Sequence, residues 1–200
     1  MSNQIETQID VTLTERNRVT ALFRLILVAP IYIFTASFVP TVAGPESGDL
    51  SVFFAGFFAL PVALAIVFRQ IYPSYLLAFN EALLSLQTRV DVYILLLTDE
   101  YPSIEDNDVV SVTFPEVDAK ALNRWLPLIK WFLAIPLFIV GIVYIIYGAF
   151  LTLFAWFSIL FTGNFPEFCA EGIVGVIAYW NRVTGYALVL VTDEYPTFSL

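Results

Sequence analysis

The chain has no histidine, one cysteine (Cys169) and one methionine (Met1) in 200 residues. Haem, zinc, copper and iron–sulfur centres need imidazole or thiolate ligands in numbers, so their ordinary forms are excluded and no cofactor is expected. Without histidine, no serine, cysteine or aspartate nucleophile has its usual activating base, and no glycine-rich phosphate loop is present, which speaks against an enzyme. A lone cysteine also rules out an intrachain disulfide. Charge is scarce as well. Charged residues make up 14% of the chain, against 59% hydrophobic and 16% aromatic, with a mean hydropathy of +0.81, whereas soluble proteins are about 45–50% apolar. The expected class is an integral membrane protein. The net charge of −9 makes it a poor ligand for nucleic acid. The N-terminus has neither a basic region nor an immediate apolar run, so no cleavable signal peptide is expected.

Residues 21–39 carry one charge, Arg24, and 50–68 carry none. Each is long enough to cross about 30 Å of hydrocarbon as a helix, which predicts a transmembrane hairpin. Residues 41–50 between them hold Gly44, Pro45 and Gly48, which break helix. Residues 131–161 are a 31-residue stretch without charge; as one helix it would run about 46 Å. The sequence therefore predicts a turn near Gly141–Gly148 and a second hairpin, its first helix starting at about Arg124.

An internal repeat organises the chain. Asn17, Arg18, Leu22, Arg24 and Pro30 recur at one offset as Asn123, Arg124, Leu128, Lys130 and Pro136. Phe68, Pro73, Arg89 and Tyr93 recur, at an offset 13 residues shorter, as Phe161, Pro166, Arg182 and Tyr186. Each copy ends in the same pentapeptide, Thr98-Asp99-Glu100-Tyr101-Pro102 and Thr192-Asp193-Glu194-Tyr195-Pro196, after a one-residue insertion in the second. The predicted domains are repeats over 1–105 and 106–200. Residues 74–92 and 167–185 read as helices with one polar or small face. If these lie in the interface and do not span, every base falls on one side. The expected location is then the inner (cytoplasmic) membrane, multi-pass, with both termini and both pentapeptides cytoplasmic and residues 41–50 outside.

Alternation over Ile9–Leu13 and Val110–Phe114 predicts short strands. The apolar runs 93–98 and 186–192 could pair with them in a small cytoplasmic sheet, or could end a buried helix. The fold class expected is thus mainly α and integral to the membrane: two tandem repeats, each a transmembrane hairpin plus an interfacial amphipathic helix, with short cytoplasmic β-strands. Phe114-Pro115-Glu116, Leu126-Pro127-Leu128-Ile129-Lys130-Trp131, Ala134-Ile135-Pro136, Phe161-Thr162-Gly163-Asn164-Phe165-Pro166 and the stretch Thr192–Leu200 resemble the bacterial membrane-protein family catalogued as domain of unknown function 4389. The resemblance covers roughly residues 110–200, and the first half looks like a diverged copy. It implies a bacterial or archaeal membrane protein and supplies no activity, ligand or catalytic residue.

The candidate functional or structural motif is the pair of pentapeptides, with Arg89 and Arg182. Paired carboxylates at Asp99-Glu100 and Asp193-Glu194 could bind a cation or relay protons. The stronger reading is an interfacial terminator: Asp turns the chain, Tyr anchors at headgroup depth and Pro stops the element. Arg24 and Lys130 are expected to snorkel to the interface. Two function classes remain. One is a membrane scaffold or accessory subunit, partnered by membrane lipids and forming a homo-oligomer or part of a larger membrane complex. The alternative is a small transporter or channel with parallel internal repeats; the scarcity of polar residues in the spans favours the scaffold.

Overall fold

A computed structural model describes residues 3–38, 41–42, 52–53, 58–105 and 108–200. The architecture is mainly helical, with two apolar helical stretches long enough to cross a membrane, Arg18–Ala36 and Ile135–Thr162. The first begins where the Asn17 side chain accepts from the Val19 and Thr20 N–H groups, an N-cap that satisfies two otherwise unpaired donors. It is divided at Val28 into α1 (Arg18–Leu27) and α2 (Ala29–Ala36). The second stretch, α6 (Ile135–Thr162), is set off in the same way at Ala134 from the α5 helix (Leu126–Leu133) that precedes it. Each break stands just before a proline, Pro30 or Pro136, which lacks the N–H that would continue the ladder.

These helices touch the rest of the protein along one narrow stripe. It comprises Ala21, Arg24, Val28, Ile31 and Thr35 in the first, and Lys130, Ala134, Leu137, Gly141, Gly148, Ala155 and Ile159 in the second with the α5 before it. The spacing of three and four residues keeps these positions on a single face. The other faces are exposed and apolar, as at Phe23, Ile26, Ile33, Phe132, Ile146 and Phe154.

The predicted turn at Gly141–Gly148 does not form: α6 runs unbroken through 28 residues. Both glycines belong to the buried stripe. Gly141 faces the Trp180 ring and Gly148 faces Val176, both on α7 (Glu167–Thr184). They let two helices approach rather than turn the chain. In the first half the expected return arm is the short α3 (Ala59–Arg69). The loop 41–50 lies for the most part outside the described residues; Thr41–Val42 and Val52–Phe53 pair as β2 and β3.

The amphipathic segments form α4 (Ser74–Ile94) and α7, entered through Pro73 and Pro166. The runs 93–98 and 186–192 are helix ends and not strands. In the first half Leu96 turns left-handed (φ 67°) and the Leu97 N–H closes on the Val92 carbonyl. In the second, a π-helical turn, Gly185–Val189, precedes left-handed Leu190 (φ 64°), and the Val191 N–H closes on the Gly185 carbonyl. The π-helical turn absorbs the inserted residue, as such bulges do.

Strands β1 (Glu6–Ile9) and β4 (Val110–Thr113) pair antiparallel with each other, Glu6 opposite Thr113 and Ile9 opposite Val110. β1 packs on α7 and β4 on α4, while α2 packs on α4 and α6 on α7. The result is layered: an outer tier of apolar helices, a middle tier of α4 and α7, then the small sheet. Ile5, Leu84, Val92, Val112, Ile173 and Val191 join in one core beneath that sheet. Asn181 of α7 ties the tiers together, its amide donating to Thr88 of α4 (3.1 Å) and Thr7 of β1 (2.9 Å).

Candidate functional site: two cation–carboxylate clasps

Each pentapeptide aspartate is gripped by the helix that begins its own half. Asp99 Oδ2 accepts from the Asn17 backbone N–H (2.9 Å), and its Oδ1 lies 2.5 Å from Arg24 Nη2 and 3.2 Å from Arg16 Nη2. Asp193 Oδ2 accepts from the Asn123 N–H (2.6 Å), and its Oδ1 lies 2.8 Å from Lys130 Nζ. The cations are buried: Arg16 is 4%, Arg24 2% and Lys130 0% exposed. Their direction is opposite to the snorkelling expected of Arg24 and Lys130, because both sit on the inward stripe, where a carboxylate and backbone carbonyls are supplied.

Those carbonyls complete each site. Arg24 donates to Tyr93 O and Thr98 O (both 2.6 Å), and Arg16 donates to Thr12 O, Leu96 O and Leu97 O. Lys130 donates to Thr192 O at 2.6 Å. A tyrosine ring covers each helix cation: Arg24 lies 4.2 Å from the Tyr93 ring centre and Lys130 5.0 Å from that of Tyr186. Tyr101 stacks edge-on against Tyr93, and Tyr195 against Tyr186. Thr98 and Thr192 each accept the N–H of the glutamate two residues on. Glu100 and Glu194 are exposed, while Pro102 and Pro196 are buried. Glu194 accepts from Gln4 Nε2 (3.0 Å) and the Asn3 N–H (2.9 Å).

Arg89 and Arg182 stand apart from the clasps and hold the chain that follows them. Arg89 donates to Glu105 O, and Arg182 donates to Ser199 O. Burial lowers the Arg16 guanidinium to about 10, with Asp99 opposing that effect. Among the described residues no group of three or more acids or cysteines could hold a metal ion.

Sequence reasoning singled out the aspartates and the two helix cations separately and missed their pairing. It also missed Arg16, Tyr93 and Tyr186 as partners. The signal was available in part, since Asn17/Arg24 and Asn123/Lys130 recur at the same offset as one another.

Such paired carbonyl and carboxylate ligands around a buried cation define an internal fastening in each half. The fold is therefore a mainly helical one with large exposed apolar helices, closed by internal ion pairs. Residues 125–199 match the family described as Domain of unknown function (DUF4389), in agreement with the resemblance carried by the motifs of the second half. Comparison with curated proteins and with solved structures finds no match.

Proposed function

We propose that this chain is a non-catalytic membrane scaffold of two parallel repeats, related by a two-fold axis along the membrane normal and bedded in one leaflet by its outer helical tier. The observation that carries the reading is the unbroken α6 and what lies behind it. The two ends of α6 reach different clasps: Lys130 precedes its start, while Gly163 at its end accepts the Arg16 N–H. Between them it follows α7, from Tyr179, whose hydroxyl donates to Leu137 O, to Gly172 beside Leu151. α7 carries β1, and the sheet that β1 forms with β4 exposes Glu6, Gln8, Ser111 and Thr113. Were α6 to cross the bilayer, that polar, open-edged sheet would sit at hydrocarbon depth, which unsatisfied backbone groups forbid. With α6 in the membrane plane, the apolar tier meets lipid, the sheet faces water and the bases gather on the watery side. This replaces the multi-pass arrangement with an in-plane one and keeps both clasps cytoplasmic.

The antiparallel β1–β4 pair and the Thr88–Asn181 contact, at positions equivalent by the repeat offset, support such an axis. In a Cys169→Ser background, single cysteines at Glu100 and Glu194 are challenged with a membrane-impermeant maleimide in intact, wall-stripped cells. Both should stay unlabelled until lysis. Labelling of one alone would mean that α6 spans and the repeats are inverted, moving the transporter ahead; labelling of both would place the clasps outside. The scaffold reading also expects a second copy or another chain in the particle purified in mild detergent. A monomer that conducts solute in liposomes would overturn it.

A further inference from the structure

Asp91, on α4, stands where two cavities meet. One, of about 420 Å³, is walled by Ile145, Ile173, Val176 and Ile177, with Trp180 alongside. The other, of about 260 Å³, is bounded by Tyr32, Thr35 and Gln87. The first is apolar and within the size range of small-ligand sites, about 300–1,000 Å³. Among the described residues, Asp91 is the only charged one lining either cavity. Its carboxylate forms no hydrogen bond or ion pair with any described residue. The buried indole N–H of Trp180 likewise has no acceptor among them. Arg24 and Lys130, on the adjoining helices, are committed to the clasps. Asp91 is exposed at the open mouth of these cavities, and where that mouth meets the hydrocarbon of a bilayer a lone carboxylate is costly unless something pairs with it.

We propose that the joined cavities bind an amphiphile carrying a protonated amine. The ammonium sits on Asp91, within reach of the oxygens of Gln87 and Thr35, and the chain lies along the isoleucines and Val176. Charge complementarity selects the head, and the apolar wall selects the tail. The inference rests on the membrane reading of the outer tier and adds a ligand class to it.

The full-length protein in vesicles of phosphatidylcholine is titrated with bromine-labelled dodecylamine and with the matching neutral alcohol, read by quenching of tryptophan fluorescence. The amine should bind roughly tenfold or more tightly than the alcohol, as a charge-assisted hydrogen bond requires. Asp91→Asn should abolish that preference while alcohol binding and the far-ultraviolet spectrum stay as in the wild type. Trp180→Phe should remove most of the quenching. Equal affinity for amine and alcohol, or a preference that survives Asp91→Asn, overturns the proposal. Displacement of the probe by phosphatidylethanolamine identifies a lipid headgroup as the source of the amine; displacement by free amines alone identifies a soluble one. Flotation of the protein with vesicles tests the membrane reading separately, because it does not depend on Asp91.

Discussion

Asp99 is held by two guanidiniums, Arg16 and Arg24, whereas Asp193 is held by the single ammonium of Lys130. The residue before Asn17 is Arg16; the residue before Asn123 is Leu122, which packs with Val62, Ile66 and Leu190. The two halves thus keep the anion, the capping asparagine and the covering tyrosine, and differ in how many cations share the anion. Five backbone carbonyls accept from the arginines in the first clasp, and one accepts from Lys130 in the second. The comparison separates two ways of stabilising a buried cation: with a counter-charge, or with a cage of dipoles.

The largest expected effect tests which matters more. Asp99→Asn leaves two neighbouring buried cations without a counter-charge, and should cost about 3–5 kcal/mol, the range for breaking a buried pair from one side. Asp193→Asn strands one cation and should cost less. Thermal and denaturant unfolding in detergent micelles measures both. If Asp193→Asn proves the more damaging, the carbonyl cage around the arginines outweighs the count of cations. Neither substitution should change the binding of any metal ion, since both aspartates are engaged by protein cations.

A middle-sized effect lies at the helix ends. The π-helical turn places the Ala187 carbonyl 2.9 Å from Trp131 Nε1. Leu25 occupies the equivalent place in the first half and has no N–H to satisfy, and there the helix closes without an extra residue. Deleting Ala187 should therefore cost about 1 kcal/mol, the net worth of a part-buried hydrogen bond. In a Trp131→Leu background the same deletion should cost measurably less. Additive costs in that double-mutant cycle would show that the insertion serves something other than the indole.

Much of this was legible in the sequence, and the failures have physical causes. The apolar stretches that become α1–α2 and α6, the amphipathic α4 and α7, and the equivalence of Asp99 with Asp193 follow from composition, periodicity and the repeated pentapeptide. The pairing of Arg24 with Asp99 bridges 75 residues, and no local pattern reports which distant carboxylate a helix cation will meet. Gly141 and Gly148 read as a turn because glycine breaks isolated helices; against α7 they are contact points, where the missing side chain is what the neighbouring Trp180 and Val176 require. Asp91 has no counterpart in the second half, where Thr184 stands, so the matching positions that drew attention to the two aspartates passed over it.

The smallest effect concerns the turns that lead into α4 and α7. Gly163 ends α6 with φ 77°, and Gln70 ends α3 with φ 48° at the equivalent point. The left-handed conformation is open to glycine and costs other residues about 1–2 kcal/mol. Gly163→Ala should therefore destabilise by about 1 kcal/mol, since a Cβ there would meet only the Arg18 guanidinium at an ordinary 3.5 Å and the penalty is purely conformational. Gln70→Gly should stabilise, but by less than 1 kcal/mol, because glycine also loosens the unfolded chain. Measured side by side by denaturant unfolding, the two changes should have opposite signs. Equal destabilisation by both would show that Gln70 contributes through its side chain, and the two turns would then be alike in backbone only.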